Sequence, residues 1–148
     1  MTGMAWGLAA LLSVVTQAEP TRCQVQSCLK DLADSRYSVR YADGSGNQWV
    51  LQAGTVEYVP VRPEQSSSGM YSGGAPWKAA LSAAQYAEIA QAIDRAIATK
   101  EAHAARREKM TGAIELRCGE EKASFLIAAR RPELLAIEKA LAKARPGK

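Results

Sequence analysis

The order of secondary structure in this chain turns on one stretch, which reads Pro60-Val-Arg-Pro-Glu-Gln-Ser-Ser-Ser-Gly-Met-Tyr-Ser-Gly-Gly-Ala-Pro-Trp77. Runs with the period of β-strands precede it, and a run with the period of an α-helix follows it. The stretch is rich in Gly, Ser and Pro, but it also carries Tyr71 and Trp77. Because disordered segments are poor in aromatic residues, we expect part of it to pack or to bind.

Three strand-like runs precede this stretch. Polar and apolar residues alternate in Arg36–Tyr41, and the pattern resumes in Gln48–Gln52 after the turn cluster Asp43–Asn47. The third run, Thr55–Val61, is rich in β-branched and aromatic residues. Pro60 limits this third run to a sheet edge or to the end of a strand. The sequence therefore predicts a hairpin followed by a third strand.

A helix is predicted after the stretch. Ser82 and Gln85 have the spacing of a capping box, in which each side chain bonds the backbone of the other. An apolar stripe at helical spacing follows, formed by Tyr86, Ile89, Ile93 and Ile97. We expect a helix of about five turns that continues into the basic segment Glu101–Lys109.

A strand pair and a second helix complete the pattern. Ala113–Cys118 and Ala123–Ala128 alternate on either side of the turn Gly119–Lys122, and Pro132 has the preferred first-turn position of a helix. The apolar stripe of that helix contains Leu134, Ile137 and Leu141. The sequence predicts an α+β fold, in which an antiparallel sheet of about five strands carries two helices on one face, in the order β-β-β-α-β-β-α.

The N-terminus predicts export. Ala5–Val15 is an apolar run that is too short to span a bilayer, and the small residues Thr16 and Ala18 fit a cleavage site before Glu19. No Lys or Arg precedes the run, and a buried N-terminal helix is the alternative. We expect a signal peptide at 1–18 and a single α+β domain at 19–148, periplasmic or secreted, with no stable membrane anchor after cleavage.

The chain has three cysteines, Cys23, Cys28 and Cys118. In an exported protein two of them are expected to pair. A bond between Cys23 and Cys28 closes a small loop, whereas a bond from either to Cys118 closes a loop of about 90 residues and stabilises more. We favour the long-range bond, which leaves one thiol over. We expect no metal and no cofactor, because three cysteines and the distant His103 lack the spacing of a zinc site.

The net charge of +4 is uneven along the chain. From Lys100 onward there are 12 basic and 7 acidic residues, against 7 and 8 before it. This excess favours anionic partners such as acidic proteins, polyanionic glycans or membrane surfaces, and a solvated helix face and tail is the alternative. We do not expect nucleic acid as the partner, because the chain is predicted to be exported and Arg106–Lys109 lacks interleaved aromatic residues.

Catalytic patterns are weak. His103 is the sole histidine, and we expect it to be an exposed residue at a helix end. Gly69–Gly73 places Ser72 one position too late for the Gly-x-Ser-x-Gly elbow of a hydrolase. The glycines of the loop precede a helix but lack the Gly-Lys-Ser/Thr ending of a phosphate-binding loop. A small exported enzyme that uses a loop Ser or the unpaired Cys stays an alternative.

The segment 62–81 shows neither strand nor helix pattern, and loops of this length are functional or disordered. Tyr and Trp are enriched in interface hot spots, so we predict a docking surface with Tyr71 at its tip. The alternative is that Tyr71 and Trp77 fold back and cap the sheet. We predict no catalytic residue. The candidate binding residues are Ser68, Gly69, Met70, Tyr71, Ser72, Gly73, Gly74 and Trp77.

We interpret the chain as an exported, non-enzymatic binding or accessory domain of the cell envelope, which docks an unidentified protein or an anionic envelope component through this loop. An inhibitor of an extracellular enzyme, whose loop enters the enzyme's cleft, is a further alternative. Ser68-Gly69-Met70-Tyr71 resembles the Ser-Gly…Tyr loop of bacterial lysozyme inhibitors. The resemblance covers four residues, its spacing differs, and the fold of those inhibitors is rich in β-structure, so no function is carried over from it.

Overall fold

A computed structural model of the protein describes residues 34–147. The predicted signal peptide, Cys23 and Cys28 lie outside the described residues, so cleavage and disulfide pairing stay predictions.

The described chain contains six strands and two α-helices. The strands are β1 (Tyr37–Ala42), β2 (Gln48–Gln52), β3 (Thr55–Val59), β4 (Trp77–Ala80), β5 (Gly112–Cys118) and β6 (Glu121–Ile127). The helices are α1 (Ala83–Ala98) and α2 (Pro132–Lys143), and short 3₁₀ helices lie at Pro63–Gln65 and Lys100–Ala102. Neither α-helix within residues 34–147 has the length and apolarity needed to cross a membrane.

The six strands form one antiparallel sheet in the order β4-β3-β2-β1-β5-β6. Inward residues of the strands and the apolar stripes of both helices form a single core on one face of the sheet, which includes Val39, Leu51, Val56, Ile114, Ile89, Ile93, Ile137 and Leu141. The predicted α+β class and the succession of strands and helices are therefore confirmed. The alternation of the strands places Arg40, Glu115 and Arg117 on the opposite face.

One strand, β4, was not predicted from the sequence. Trp77–Ala80 lies at the end of the predicted loop and pairs with β3, so that Trp77 faces Tyr58 and Lys78 faces Glu57. The run is four residues long and has no β-branched residue, so it gives little strand signal. Its addition makes β3 an inner strand, and Pro60 follows the last residue of β3, as its missing N–H requires.

Helix α1 begins as its capping box predicts but ends earlier than expected. Ser82 Oγ accepts the backbone N–H of Gln85 at 3.2 Å, and Gln85 Oε1 accepts the backbone N–H of Ser82 at 3.0 Å. The predicted continuation through Glu101–Lys109 is wrong, because the chain turns extended at Thr99. The Thr99 hydroxyl donates to the carbonyl of Arg95 at 2.8 Å and closes the last turn.

Helix α2 begins at Pro132, as predicted, and is held against the sheet by Tyr41. The buried Tyr41 hydroxyl donates to Glu138 Oε1 at 3.1 Å, and burial together with the Glu138 charge raises the pKa of Tyr41. The phenol therefore stays a donor. A β-carbon on Gly112 would overlap with the Leu134 side chain of α2 and approach the Tyr41 ring to 3.2 Å, so a larger residue would require these side chains to shift.

We predict that Gly112→Val lowers the free energy of unfolding by about 1–3 kcal/mol, because the added carbons force Leu134 and the Tyr41 ring apart. The measurement is urea unfolding followed by circular dichroism. Ala113→Val is the matched control, since residue 113 lies next along β5 with its side chain on the face without helices, and its midpoint should stay near the wild-type value. Equal midpoints for Gly112→Val and wild type would contradict this account of the packing.

Candidate functional site

The candidate site is built around the side chain of Asn47, which is only 5% exposed although it is polar. Its Nδ2 donates to Asp43 Oδ2 at 2.8 Å and to the hydroxyl oxygen of Tyr71 at 2.9 Å. Its Oδ1 accepts the backbone N–H of Val61 at 3.0 Å. Both N–H groups and the carbonyl of this amide are thus used, as burial requires. Asn47 thereby joins the β1–β2 turn to the loop that follows β3.

Gly73 fixes the returning half of the loop. Its N–H donates to the carbonyl of Val61 at 2.9 Å, and its carbonyl accepts the Tyr58 hydroxyl at 2.7 Å. A β-carbon at this position would overlap with Oδ1 of Asn47, so glycine is needed for the close approach. Burial, with a smaller contribution from the Asp43 charge, raises the pKa of Tyr58, which keeps its hydroxyl a donor.

Ser66 organises the outer half of the loop. It follows a one-turn 3₁₀ helix, and its hydroxyl donates to the carbonyl of Pro63 at 2.9 Å. The same oxygen accepts the backbone N–H of Tyr71 at 3.3 Å, while Ser68 Oγ accepts that of Met70 at 3.3 Å. Local bonds of this kind satisfy a loop backbone without a neighbouring strand. The segment is therefore a hydrogen-bonded loop with a defined shape.

The predicted binding residues fall into three groups. Ser68, Gly69, Met70 and Tyr71 lie together on the outer turn, where Met70 is 85% exposed and Tyr71 is 40% exposed. Among the large apolar residues of 34–147, Met70 is thus the most exposed, whereas the Tyr71 hydroxyl is bound by Asn47. The second group, Ser72, Gly73 and Gly74, returns the chain toward β4, and Ser72 Oγ accepts the N–H of Gly74 at 3.2 Å.

Trp77 forms the third group by itself. It lies on the helix-covered face, where its ring stacks on that of Tyr58 with centroids 5.7 Å apart. A row of aromatic rings continues from there across β2 and β1, through Trp49 at 4.8 Å and then Tyr41 at 5.7 Å. Such contacts between neighbouring strands stabilise a sheet. The half-buried Trp77 therefore ties the end of the loop to the sheet and does not lie with the outer turn.

A cleft with a volume of about 660 Å³ lies beside the outer turn. Its walls carry hydroxyl, amide and backbone groups, together with the half-exposed side chains of Val59 and Tyr71 and one charged residue, Lys109. The lining residues are Gly44, Ser45, Gly46, Gln48, Val59, Pro60, Val61, Gln65, Ser66, Ser67, Ser68, Tyr71 and Lys109.

Exposed apolar side chains concentrate at this end of the molecule. Of the five large apolar residues that are exposed within residues 34–147, four line the cleft or adjoin a lining residue in sequence, namely Val59, Met70, Tyr71 and Met110. The backbone of Met110 packs against Gly44, where a β-carbon would overlap with it. Exposed apolar groups gathered beside a cleft make this end of the molecule the candidate interaction surface.

The structure separates His103 from the loop serines. His103 bridges to Ile127 of β6, whereas the serines follow β3, and three strands lie between these two strands. At about 4.8 Å per strand the separation is about 19 Å, too far for a Ser–His pair. The expectation of an exposed His103 was wrong, because the ring is half-buried against Phe125 and its Nε2 lies 3.1 Å from the carbonyl oxygen of Ala96.

The residues that the sequence did not single out are Asn47, Val59 and Lys109. Asn47 belongs to the predicted turn, and its spacing of four from Asp43 suits the bond from its backbone N–H to Asp43 Oδ1, at 2.9 Å. Its bond to Tyr71 joins residues that are 24 apart in the sequence, so no local sequence pattern predicts it. The order of the strands in the sheet, which the sequence does not reveal, brings Val59 and Lys109 to the cleft.

Comparison of the chain with protein-family models, with curated proteins and with solved structures finds no match.

We predict that Asn47→Ala lowers the free energy of unfolding by about 3 kcal/mol, because the Asp43 carboxylate and the Val61 N–H lose their buried partner. Chemical denaturation measures the change. The matched control is Ser45→Ala in the same turn. The Ser45 side chain is exposed, so its removal should change the free energy of unfolding little. A loss for Asn47→Ala no larger than that for Ser45→Ala would show that the buried amide does not hold the loop.

Proposed function

We propose that this protein is an exported, non-enzymatic docking domain of the cell envelope, which binds a protein or an anionic envelope component through the 62–81 loop and the cleft beside it. One observation carries the proposal: a loop held by buried hydrogen bonds nevertheless leaves Met70 85% exposed next to a cleft of about 660 Å³.

The hydrogen bonds of the loop support docking because they lower its entropic cost. A mobile loop must be ordered when it binds, at about 0.5–1.5 kcal/mol for each immobilised side chain. Here Asn47, Ser66 and Gly73 already hold the backbone in one shape. An exposed, flexible Met side chain adapts to the contours of an apolar surface. The loop is therefore prepared to present Met70 and the Tyr71 ring to a partner.

The lining of the cleft supports a partner that brings both apolar and polar groups. Val59 and Tyr71 offer apolar contact, while the serine hydroxyls and the Gln48 and Gln65 amides offer hydrogen bonds in both directions. Lys109 is the only charged group in the lining and favours an anionic group at the rim. Apolar contacts with a few polar groups are typical of recognition sites.

The position of Cys118 supports the proposed long-range disulfide. Cys118 ends β5 and pairs in register with Tyr37, the first residue of β1, and the N–H of Gly119 donates to the carbonyl of Arg36 at 3.1 Å. β1 thus begins beside Cys118, and Cys23 and Cys28 precede β1 in the sequence. A bond from one of them to Cys118 would close a loop of about 90 residues and stabilise the fold in an oxidising compartment.

We predict that Met70→Asp abolishes the capture of a partner from an envelope extract by the immobilised mature protein, because a charge replaces the apolar contact. Quantitative mass spectrometry of the captured proteins and glycans is the measurement. Leu135→Asp is the matched control, since Leu135 is also exposed, at 56%, but lies on α2. The proposal fails if every captured species either survives Met70→Asp or is lost equally with Leu135→Asp.

We predict that the exported protein begins at Glu19 and carries a disulfide that involves Cys118. Intact mass measured before and after reduction gives both results, because cleavage removes residues 1–18 and reduction adds two hydrogens. Peptide mapping without reduction then identifies the paired residues, and Cys118→Ser provides the control. Retention of Met1 would refute cleavage, and an unchanged mass on reduction would refute the disulfide.

A further inference from the structure

The sheet face opposite the helices carries a cluster of basic side chains. In the strand register Arg40 of β1 lies opposite Glu115 of β5, and Arg117 of β5 lies opposite Lys122 of β6. All four side chains are exposed, and neither α1 nor α2 covers this face. Arg107, from the segment before β5, lines the same face beside Ala113.

Two grooves divide this cluster. The smaller, of about 160 Å³, has the short residues Ala42 and Ala113 in its lining, together with Arg40 and Arg107. The larger, of about 420 Å³, is lined by the basic residues Arg40, Arg117 and Lys122, and also by Glu115, Ser38 and Ser124. Arg40 and Glu115 line both grooves and therefore lie where the two meet.

The smaller groove is continuous with the loop cleft. Gly46 and Gln48 line both of them, so a surface track runs from Tyr71 past Gln48 to Arg40 and on to Lys122. The track crosses the sheet from β2 to β6, a distance of three strand spacings or about 14 Å. It also runs some way along the strands, so its full length is greater. An extended chain of about six residues covers about 20 Å and fits this length.

The basic side chains on the track are poorly neutralised. Within residues 34–147, Arg107, Arg117 and Lys122 have no ion-pair partner. The Arg40–Glu115 pair is the longest of the five ion pairs, at 3.9 Å, and both its side chains are more than half exposed. An ion pair of this kind contributes little to stability. Along the two grooves, four cations thus face one carboxylate, which leaves this part of the face positive and complementary to an anionic ligand.

We propose that the open sheet face binds an extended acidic polypeptide segment of the docking partner, whose carboxylates enter the two grooves. The Arg guanidinium groups suit carboxylates, since each planar fork donates hydrogen bonds to both carboxylate oxygens at once. This inference deepens the proposed docking function and rests on it for the claim that the same partner occupies the loop cleft.

Glu115 argues for a polypeptide over a uniformly charged polymer. Glu115 lines both grooves, so its negative charge repels a polymer with a negative charge on every unit. A polypeptide can place a carboxylate in each groove and a neutral residue over Glu115. Its backbone can also use the hydroxyls of Ser38 and Ser124 and the amide of Gln48, which line the track.

The test uses a fluorescent synthetic peptide of about twelve residues, twice the length that the track accommodates, in which Glu alternates with Ser, and the full mature protein. Fluorescence anisotropy should show binding that weakens as salt is raised, and no binding of the same peptide with Gln in place of Glu. Arg40→Gln with Arg117→Gln should weaken binding about tenfold, the effect of losing two charge contacts. Lys139→Gln with Arg95→Gln, exposed changes on α2 and α1, is the control and should leave it unchanged.

Glu115→Gln should strengthen binding of the acidic peptide, a gain that a folding defect does not produce. Equal affinities for the Glu and Gln peptides would overturn the inference, and so would tighter binding of inorganic polyphosphate than of the acidic peptide. The two proposals fail separately. Equal affinities for the Glu and Gln peptides refute the role of the sheet face, whereas partner capture that survives Met70→Asp refutes the role of the loop.

Discussion

The shape of the candidate site depends on one buried amide. Asn47 is 5% exposed, and its side chain bonds the β1–β2 turn, the end of β3 and the outer turn of the loop at the same time. Because a buried amide with unmet hydrogen bonds is costly, these three segments are fixed relative to one another. Gly73 completes the arrangement, since any side chain at its position would displace the Asn47 carbonyl oxygen.

The sheet places this fixed loop beside a charged surface. Alternation along the strands sends Tyr41, Leu51 and Ile114 under the helices and leaves Arg40 and Arg117 on the opposite face. The loop leaves β3 at the end of the sheet where the β1–β2 turn lies, so the cleft and the basic face share Gly46 and Gln48. Because apolar groups lie at one end of the track and basic groups along it, we propose a partner chain with apolar and acidic parts.

Local sequence patterns predicted much of this fold because the interactions behind them join residues that are close in sequence. The capping box at Ser82, the alternation of β1 and the first-turn Pro132 each describe interactions within a few residues. The strand β4 and the early end of α1 could not be predicted in the same way. Trp77–Ala80 is a strand because it pairs with β3. Helix α1 ends at Thr99, and His103 then forms a bridge to Ile127 of β6.

The candidate site was predictable only in outline. Its composition identified the loop and its exposed Met70 and Tyr71, but the partner of the Tyr71 hydroxyl lies 24 residues away in sequence. The strand order also brings Lys109 to the cleft and separates His103 from the loop serines. Contacts of this range follow from tertiary structure, which periodicity and spacing do not encode.

Amide hydrogen exchange across residues 60–76 tests most directly whether the loop is held in one shape before it binds. The N–H of Gly73 donates to Val61, and that of Val61 donates to the Asn47 side chain, so both should exchange as slowly as the amides of β3. The N–H of Ser67, exposed on the outer turn, should exchange rapidly and provides the internal reference. Exchange of Gly73 and Val61 as fast as that of Ser67 would contradict the account.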